Sequence, residues 1–230
     1  FKGQSNGDYS HSFQGIITGD NKKYLRLWHE INFDFMNNEF KSFSQSIGET
    51  AWVPYQKGGG YRKWYGLFDN LLLWDGSGSH LTRPRGENKE FYFKDGISWS
   101  FLTSGTFGCR RTLHGSLWDV AGSSFFPNSA DQFNYLLALF NSKLGQLFLD
   151  LLNPTMNYQV ENILSMPIKP EIFKNMNIQG LVEIAMRISK NDWDFRETSW
   201  DFEQSPLLNE AVSFEQAYQT LQEQATQDFF

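Results

Sequence analysis

Lys57, Arg62 and Lys63 fall within one short stretch, Arg83 and Arg85 are separated by a single proline, and Arg110 and Arg111 are adjacent. Between Tyr55 and His114 there are 9 Lys and Arg against 5 Asp and Glu, a local charge of +4 in a chain whose net charge is −6. Aromatic residues run between these cations: Tyr55, Tyr61, Trp64, Tyr65 and Phe107. Cations on loops suit phosphate contact, and an arginine offers two parallel donors to O6 and N7 of guanine. Charge alone is equally well explained by an ordinary solvated surface.

Other chemistries lack their residues. Gly58-Gly59-Gly60 has neither the spacing nor the terminal Lys-Ser/Thr of a nucleotide-binding loop, and reads as a hairpin turn. His11, His29, His80, His114 and the single cysteine, Cys109, share no metal-ligand spacing. No Gly-x-Ser-x-Gly elbow occurs, and no carboxylate pair is marked as catalytic. One cysteine excludes an intrachain disulfide and fits a reducing, cytoplasmic setting. No apolar run suits a membrane span, which implies no membrane partner. The chain opens on Phe1, as expected of a piece of a longer parent.

The elements that must position the cations change character along the chain. Through Ala130 there are 14 Lys and Arg against 12 Asp and Glu; from Asp131 onward there are 6 against 14. A polyanion site therefore belongs in the first half. Phe1 to His11 reads as an exposed lead-in. Short strands are expected over Tyr24–Ile31, Trp52–Lys57, Tyr61–Tyr65, Leu71–Trp74, Phe91–Phe93, Ile97–Leu102, Thr106–Thr112 and Ser123–Phe126. Pro54 marks an edge or a bulge. Ser129 and Gln132 have the spacing of a capping box, opening one long helix that stops at Asn153-Pro154. Further helices are expected around Ile178–Ile188, with Leu181, Val182 and Ala185 on one face, and from Phe214 to the chain end. The paired Trp193-Asp194-Phe195 and Trp200-Asp201-Phe202 read as ring packing rather than a repeat.

Several segments together carry a resemblance. Gly15-Ile16-Ile17-Thr18-Gly19-Asp20-Asn21 resembles the segment after the catalytic domain in adenine methyltransferases of fused restriction-modification enzymes. Trp52 to Gly59, then Arg62-Lys63-Trp64-Tyr65-Gly66, resembles the opening of their recognition region. Gly96 to Ser100, Asn141-Ser142-Lys143, Asn153 to Gln159 and Met166-Pro167-Ile168 continue it. Asn191 to Asp194 and Glu197 to Phe202 resemble the adenine-specific methyltransferases of BREX phage-defence systems in particular.

The resemblance implies an α+β fold with a curved, mostly antiparallel β region and flanking helices, like the target-recognition domains of type I specificity subunits. It implies a recognition domain over residues 1–170 and an acidic helical extension over 171–230. Double-stranded DNA is the implied partner, read through Lys57, Tyr61, Arg62, Lys63, Trp64, Arg83, Arg85, Arg110 and Arg111. Gly15, Thr18 and Gly19 would mark the junction with the catalytic domain; an ordinary turn accounts for them equally well. Asn153-Pro154-Thr155-Met156 shares only two residues with the Asn-Pro-Pro-Tyr motif of the family, and no glycine-rich cofactor loop is present. The implied role is site choice without chemistry, with S-adenosylmethionine used by the parent and no cofactor in this chain. Two other classes compete: an aromatic-rich carbohydrate-binding module, and a segment that binds other defence proteins through its acidic helices.

Overall fold

Aromatic and aliphatic side chains alternate along short strands, so each strand offers a separate apolar surface on either side of its sheet. The computed structural model describes residues 3–83, 86–103, 105–153, 155–208 and 213–229. In chain order these form β1 (Ser10–Phe13), α1 (Asn21–Tyr24), β2 (Leu25–Leu27), α2 (Phe43–Ser46), β3 (Ala51–Gln56), β4 (Asn70–Trp74), β5 (Ile97–Trp99), β6 (Cys109–Arg111), β7 (Leu117–Trp118), β8 (Ser124–Pro127), α3 (Ala130–Asn141), α4 (Lys143–Leu152), α5 (Val160–Leu164), α6 (Met176–Asp194) and α7 (Phe214–Phe229). The first sheet has the order β1-β8-β5-β6 and the second β2-β4-β3-β7. The pairings are antiparallel except for β3 with β7. The fold is α+β, as expected.

Two cores result. In the first, Ile97, Trp99, Cys109 and Phe125 meet Leu136, Leu137 and Phe140 of α3, Leu149 of α4, Ile163 of α5 and Val182 of α6. In the second, Val53, Tyr55, Leu72 and Trp74 pack with Tyr92, Phe93, Leu117, Trp118 and Phe126. Adjacent residues of β8 therefore serve different cores, Phe125 the first and Phe126 the second. Burying a ring of this size contributes about 2–3 kcal/mol, so β8 is a seam that both halves need.

Several expected elements take a different form. The segment before β1 is no exposed lead-in: Asn6 is buried, and its backbone N–H donates to the Met166 carbonyl at 2.8 Å. β3 lies inside its sheet, yet Pro54 is tolerated because β7 joins only from Tyr55 onward. The stretch 61–65 is not a returning strand; β3 pairs instead with β4 and β7. Phe91 ends a 3-10 turn, and the buried Tyr92 and Phe93 follow it outside any strand. β7 was not foreseen at two residues' length.

The expected long helix breaks at Ser142, whose hydroxyl accepts from Gly145 N–H at 2.9 Å and so caps α4. Ser129 stands at the N-cap of α3 without a side-chain bond, so the expected capping box does not form. Asn153 closes α4 as expected; Pro154 lies outside the described residues. α6 is longer than expected, and Leu181 is exposed while Val182 and Trp193 are buried. α4 leaves Leu144, Leu147 and Leu151 more than half exposed on one face. No helix among the described residues is long and apolar enough to cross a membrane.

Two polar devices fix the sheets. The buried Asn141 carboxamide accepts from Cys109 N–H at 3.0 Å and donates to Cys109 C=O at 2.9 Å, tying α3 to β6. Its loss strands backbone groups in the core, so Asn141→Ala should lower unfolding free energy by about 2 kcal/mol in a denaturant titration. After β4, Asp75 accepts from Ser77 N–H (2.9 Å), Gly78 N–H (2.5 Å) and Ser79 Oγ (3.0 Å), and lies 2.8 Å from His80 Nδ1. Burial would raise this carboxyl, but those donors outweigh it and hold it well below the usual carboxylate range. A depressed folded pKa stabilises above the unfolded value, near 4, and that stability is lost as pH falls below it. Asp75→Asn should therefore cost about 1 kcal/mol at neutral pH. The gap from wild type should narrow in melts at pH 3; a pH-independent gap would contradict this account.

Candidate nucleic-acid interface

The loop from Lys57 to Leu67 leaves β3 and runs across the edge of the first sheet before the chain returns as β4. Its start is set by Asp119, which is nearly buried. Lys57 Nζ donates to Asp119 Oδ2 at 2.5 Å, and Ala121 N–H donates to Oδ1 at 2.8 Å. The Tyr55 hydroxyl lies 2.9 Å from both Asp119 Oδ2 and the Ile16 carbonyl. Burial, and then the Asp119 charge, push the Tyr55 phenol well above its usual value, so it stays a neutral donor. Glycine is required next: a Cβ on Gly58 (φ +79°) would lie 2.4 Å from the Ala121 carbonyl oxygen.

Further along, Tyr61 is exposed. Arg62 Nε donates to Tyr65 C=O at 2.8 Å, Nη2 to Ser189 C=O at 3.0 Å and to Asp192 Oδ2 at 2.6 Å, and the guanidinium lies 5.0 Å from the Trp193 ring. Lys63 Nζ donates to the Asn141 carbonyl at 2.7 Å, at the end of α3 where a helix dipole favours a cation. Trp64 pairs with β6: its N–H donates to Cys109 C=O at 2.9 Å and its carbonyl accepts from Arg111 N–H at 3.0 Å. Trp64 (φ 69°) and Leu67 (φ 65°) are left-handed without being glycine, at about 1 kcal/mol or more each.

The two arginines of β6 have opposite surroundings. Arg111 Nη2 donates to Asp95 Oδ2 at 2.6 Å, with the guanidinium 5.2 Å from the Phe133 ring. Arg110 has no exposed surface, and none of its guanidinium nitrogens has a hydrogen-bond partner among the described residues. Burial pulls its pKa down to about 10, and Arg62 adds to that; the group remains charged at neutral pH. A buried, unpaired cation costs on the order of several kcal/mol.

The structure thus distributes the expected contact residues. Tyr61, Arg62 and Lys63 line one groove of about 740 Å³ with Arg187 of α6 and Asp228 of α7. Thr18 and Gly19 share a separate cleft of about 480 Å³ with Lys57 and Asp119. Arg83 is exposed and joins that side through backbone pairing with Ile17 at 3.1 and 3.0 Å. Arg85 lies outside the described residues. The junction residues have packing reasons of their own. A Cβ on Gly15 would collide with the Trp118 carbonyl; Gly19 has φ +81°, and Thr18 Oγ1 donates to Asn21 Oδ1 at 2.5 Å. Asp119 has no place in the sequence reading, and Asn141, Asp192 and the buried Gln56, whose carboxamide has no partner among the described residues, enter it only within resembling segments, without a role. Their side chains carry no local signature; only the fold brings them to the loop. No cluster of His, Cys, Asp or Glu able to hold a metal occurs among the described residues.

The molecule is an α+β unit presenting an arginine- and aromatic-bearing loop at a sheet edge. No family model matches the chain. Comparison with known proteins gives similarity to two adenine-specific methyltransferases. The chain is 32% identical over 232 residues to PglX of Lacticaseibacillus casei (strain Zhang), covering 94% of this chain and 19% of that protein. It is 30% identical over 204 residues to BrxX of Escherichia coli O9:H4 (strain HS), covering 86% and 16%. The chain spans less than a fifth of the length of these relatives.

The Asp119 hub generates a stability prediction. Asp119→Ala leaves Lys57 and the Ala121 N–H without their acceptor and the Tyr55 hydroxyl with the Ile16 carbonyl alone. With Lys57 about one-third exposed, water offsets part of the loss, so a cost of about 2 kcal/mol is expected in thermal melts. Lys57→Met should cost less than Asp119→Ala, because the carboxylate it leaves without a cation keeps the Tyr55 hydroxyl and the Ala121 N–H as donors, whereas Asp119→Ala removes all three bonds; the reverse order would refute the hub.

Proposed function

We propose that this chain recognises target DNA for an adenine-N6 DNA methyltransferase of a phage-defence or restriction-modification system. The observation that carries this reading is the reach of the similarity. It covers nearly the whole chain and a minor segment of two adenine-specific methyltransferases, and the cationic loops stand within it. Methyl transfer from S-adenosylmethionine would fall to other parts of the parent, which would flip the adenine out of the duplex. Residues 1–170 would supply the DNA-facing surface and 171–230 the packing or partner surface.

The geometry sorts the contacts by cost. Arg83 and Tyr61 are exposed and meet a duplex without rearrangement. Arg62 would exchange Asp192, itself more than half exposed, for a phosphate, with its bonds to the Tyr65 and Ser189 carbonyls holding the guanidinium for that exchange. Arg111 stands likewise toward Asp95. Lys57 and Lys63 would add charge from the loop ends, and Trp64 would hold the loop against β6 rather than stack on a base.

Binding of a mixed-sequence duplex, followed by fluorescence anisotropy across a salt series, tests this. Wild type should bind at low salt with a steep salt slope. Changing Arg62 and Arg83 together to Ala should weaken binding to every sequence and reduce the slope by about 2. Equal slopes for the two proteins would defeat the assignment, and retention on a glycan array without DNA binding would favour a carbohydrate-binding module.

A further inference from the structure

Arg110 stands apart from the other cations. Cys109 and Arg111 face α3, and Arg110 faces the opposite side of β6. Ser98, its cross-strand neighbour, is committed: its hydroxyl lies 3.0 Å from the Gly122 carbonyl and 3.3 Å from that of Ser123. The backbone of Trp64 straddles Arg110 by bonding Cys109 on one side and Arg111 on the other. Ser100 Oγ donates to Gly60 C=O at 3.3 Å, holding the early part of the same loop over the strand edge. No ion pair to Arg110 occurs among the described residues, and the nearby charge of Arg62 is of like sign. Among the described residues nothing pairs with the guanidinium that position 110 carries.

We propose that Arg110 is a concealed DNA contact, covered in the free protein by the loop Gly58–Leu67 and uncovered when that loop lifts on a duplex. This rests on the reading of the chain as a DNA-recognition unit. One of its anchors, the Arg62–Asp192 pair, has a carboxylate more than half exposed, whose place a phosphate would take, while the bonds of Arg62 to Ser189 and of Lys63 to Asn141 open as the loop lifts. Trp64 and Leu67 hold a left-handed backbone that an open loop relaxes. Lifting would expose five N–H donors in a planar fork to a paired acceptor, either phosphate oxygens or O6 and N7 of guanine. A closed loop keeps the fork from binding polyanions unselectively.

Two measurements on the full chain test the proposal. Deuterium uptake across residues 58–67 should rise in wild type on adding a mixed-sequence duplex at low salt. Arg110→Met should bind that duplex at least about fivefold more weakly while its unfolding midpoint stays level or rises. Arg110→Lys, which keeps charge but loses the fork, should also bind weakly. A duplex carrying 7-deazaguanine locates the acceptor: lost wild-type affinity points to guanine. Unchanged affinity, with a salt slope reduced by about 1 in Arg110→Met, points to phosphate. The proposal is overturned if Arg110→Met binds as wild type does, or if uptake across 58–67 falls or stays unchanged with duplex. Should Arg110→Met fail to fold, the wild-type uptake alone decides. If wild type binds no duplex at low salt, the recognition reading itself fails, a result distinct from equal binding by the variant.

Discussion

The structure depends on the alternation of Phe125 and Phe126 along β8. One ring closes the core under the helices and the next closes the core between the second sheet and the 86–93 segment. A strand with one wet face would join the halves only by backbone bonds. Here a single strand is apolar on both sides, so the helical half and the second sheet share a covalent seam. A slip of one residue in β8 would exchange the two faces and misfit both cores at once. The pairing of β8 with β1 and β5 is therefore held by packing on either side as well as by its ladder.

The most strained region lies two strands from that seam, at the β6 edge of the first sheet. The Lys57–Leu67 loop carries glycine at 58 and 66 and left-handed Trp64 and Leu67, and β6 beneath it holds a cation with no counter-charge among the described residues. The surrounding structure over-determines this arrangement through Asp119, Asn141, Ser189 and Asp192. Strain and an unpaired charge in one place, held by bonds to α3, to α6 and to the turn after β7, mark where stability has been yielded to another requirement. The similarity to adenine-specific methyltransferases gives that requirement a chemical direction.

Much of the β region was legible because its strands announce themselves as short apolar runs between glycine, serine and aspartate. β3 and β4 are examples; outside the β region, the apolar spacing from Phe214 marks the start of α7. What failed was tertiary. Phe91, Tyr92 and Phe93 have strand composition, but their burial comes from a turn packed on Trp74 and Trp118. Ser142 breaks a periodic helix because its hydroxyl starts a second one more favourably than its backbone continues the first. The cationic clusters were visible as charge, while their partners, Asp119, Asp192 and Asn141, are distant in sequence. Arg110 held a readable clue. Adjacent residues on a strand face opposite sides, so Arg110 and Arg111 could not both share one surface.

The leucines of α4 carry a practical consequence. Leu144, Leu147 and Leu151 point into water from one helix face. That face opposes a net charge of −6, which keeps copies of the chain apart. Salt screens that repulsion over about 10 Å at 0.1 M and leaves the leucines unchanged. High salt and high protein concentration therefore both favour contact between α4 faces.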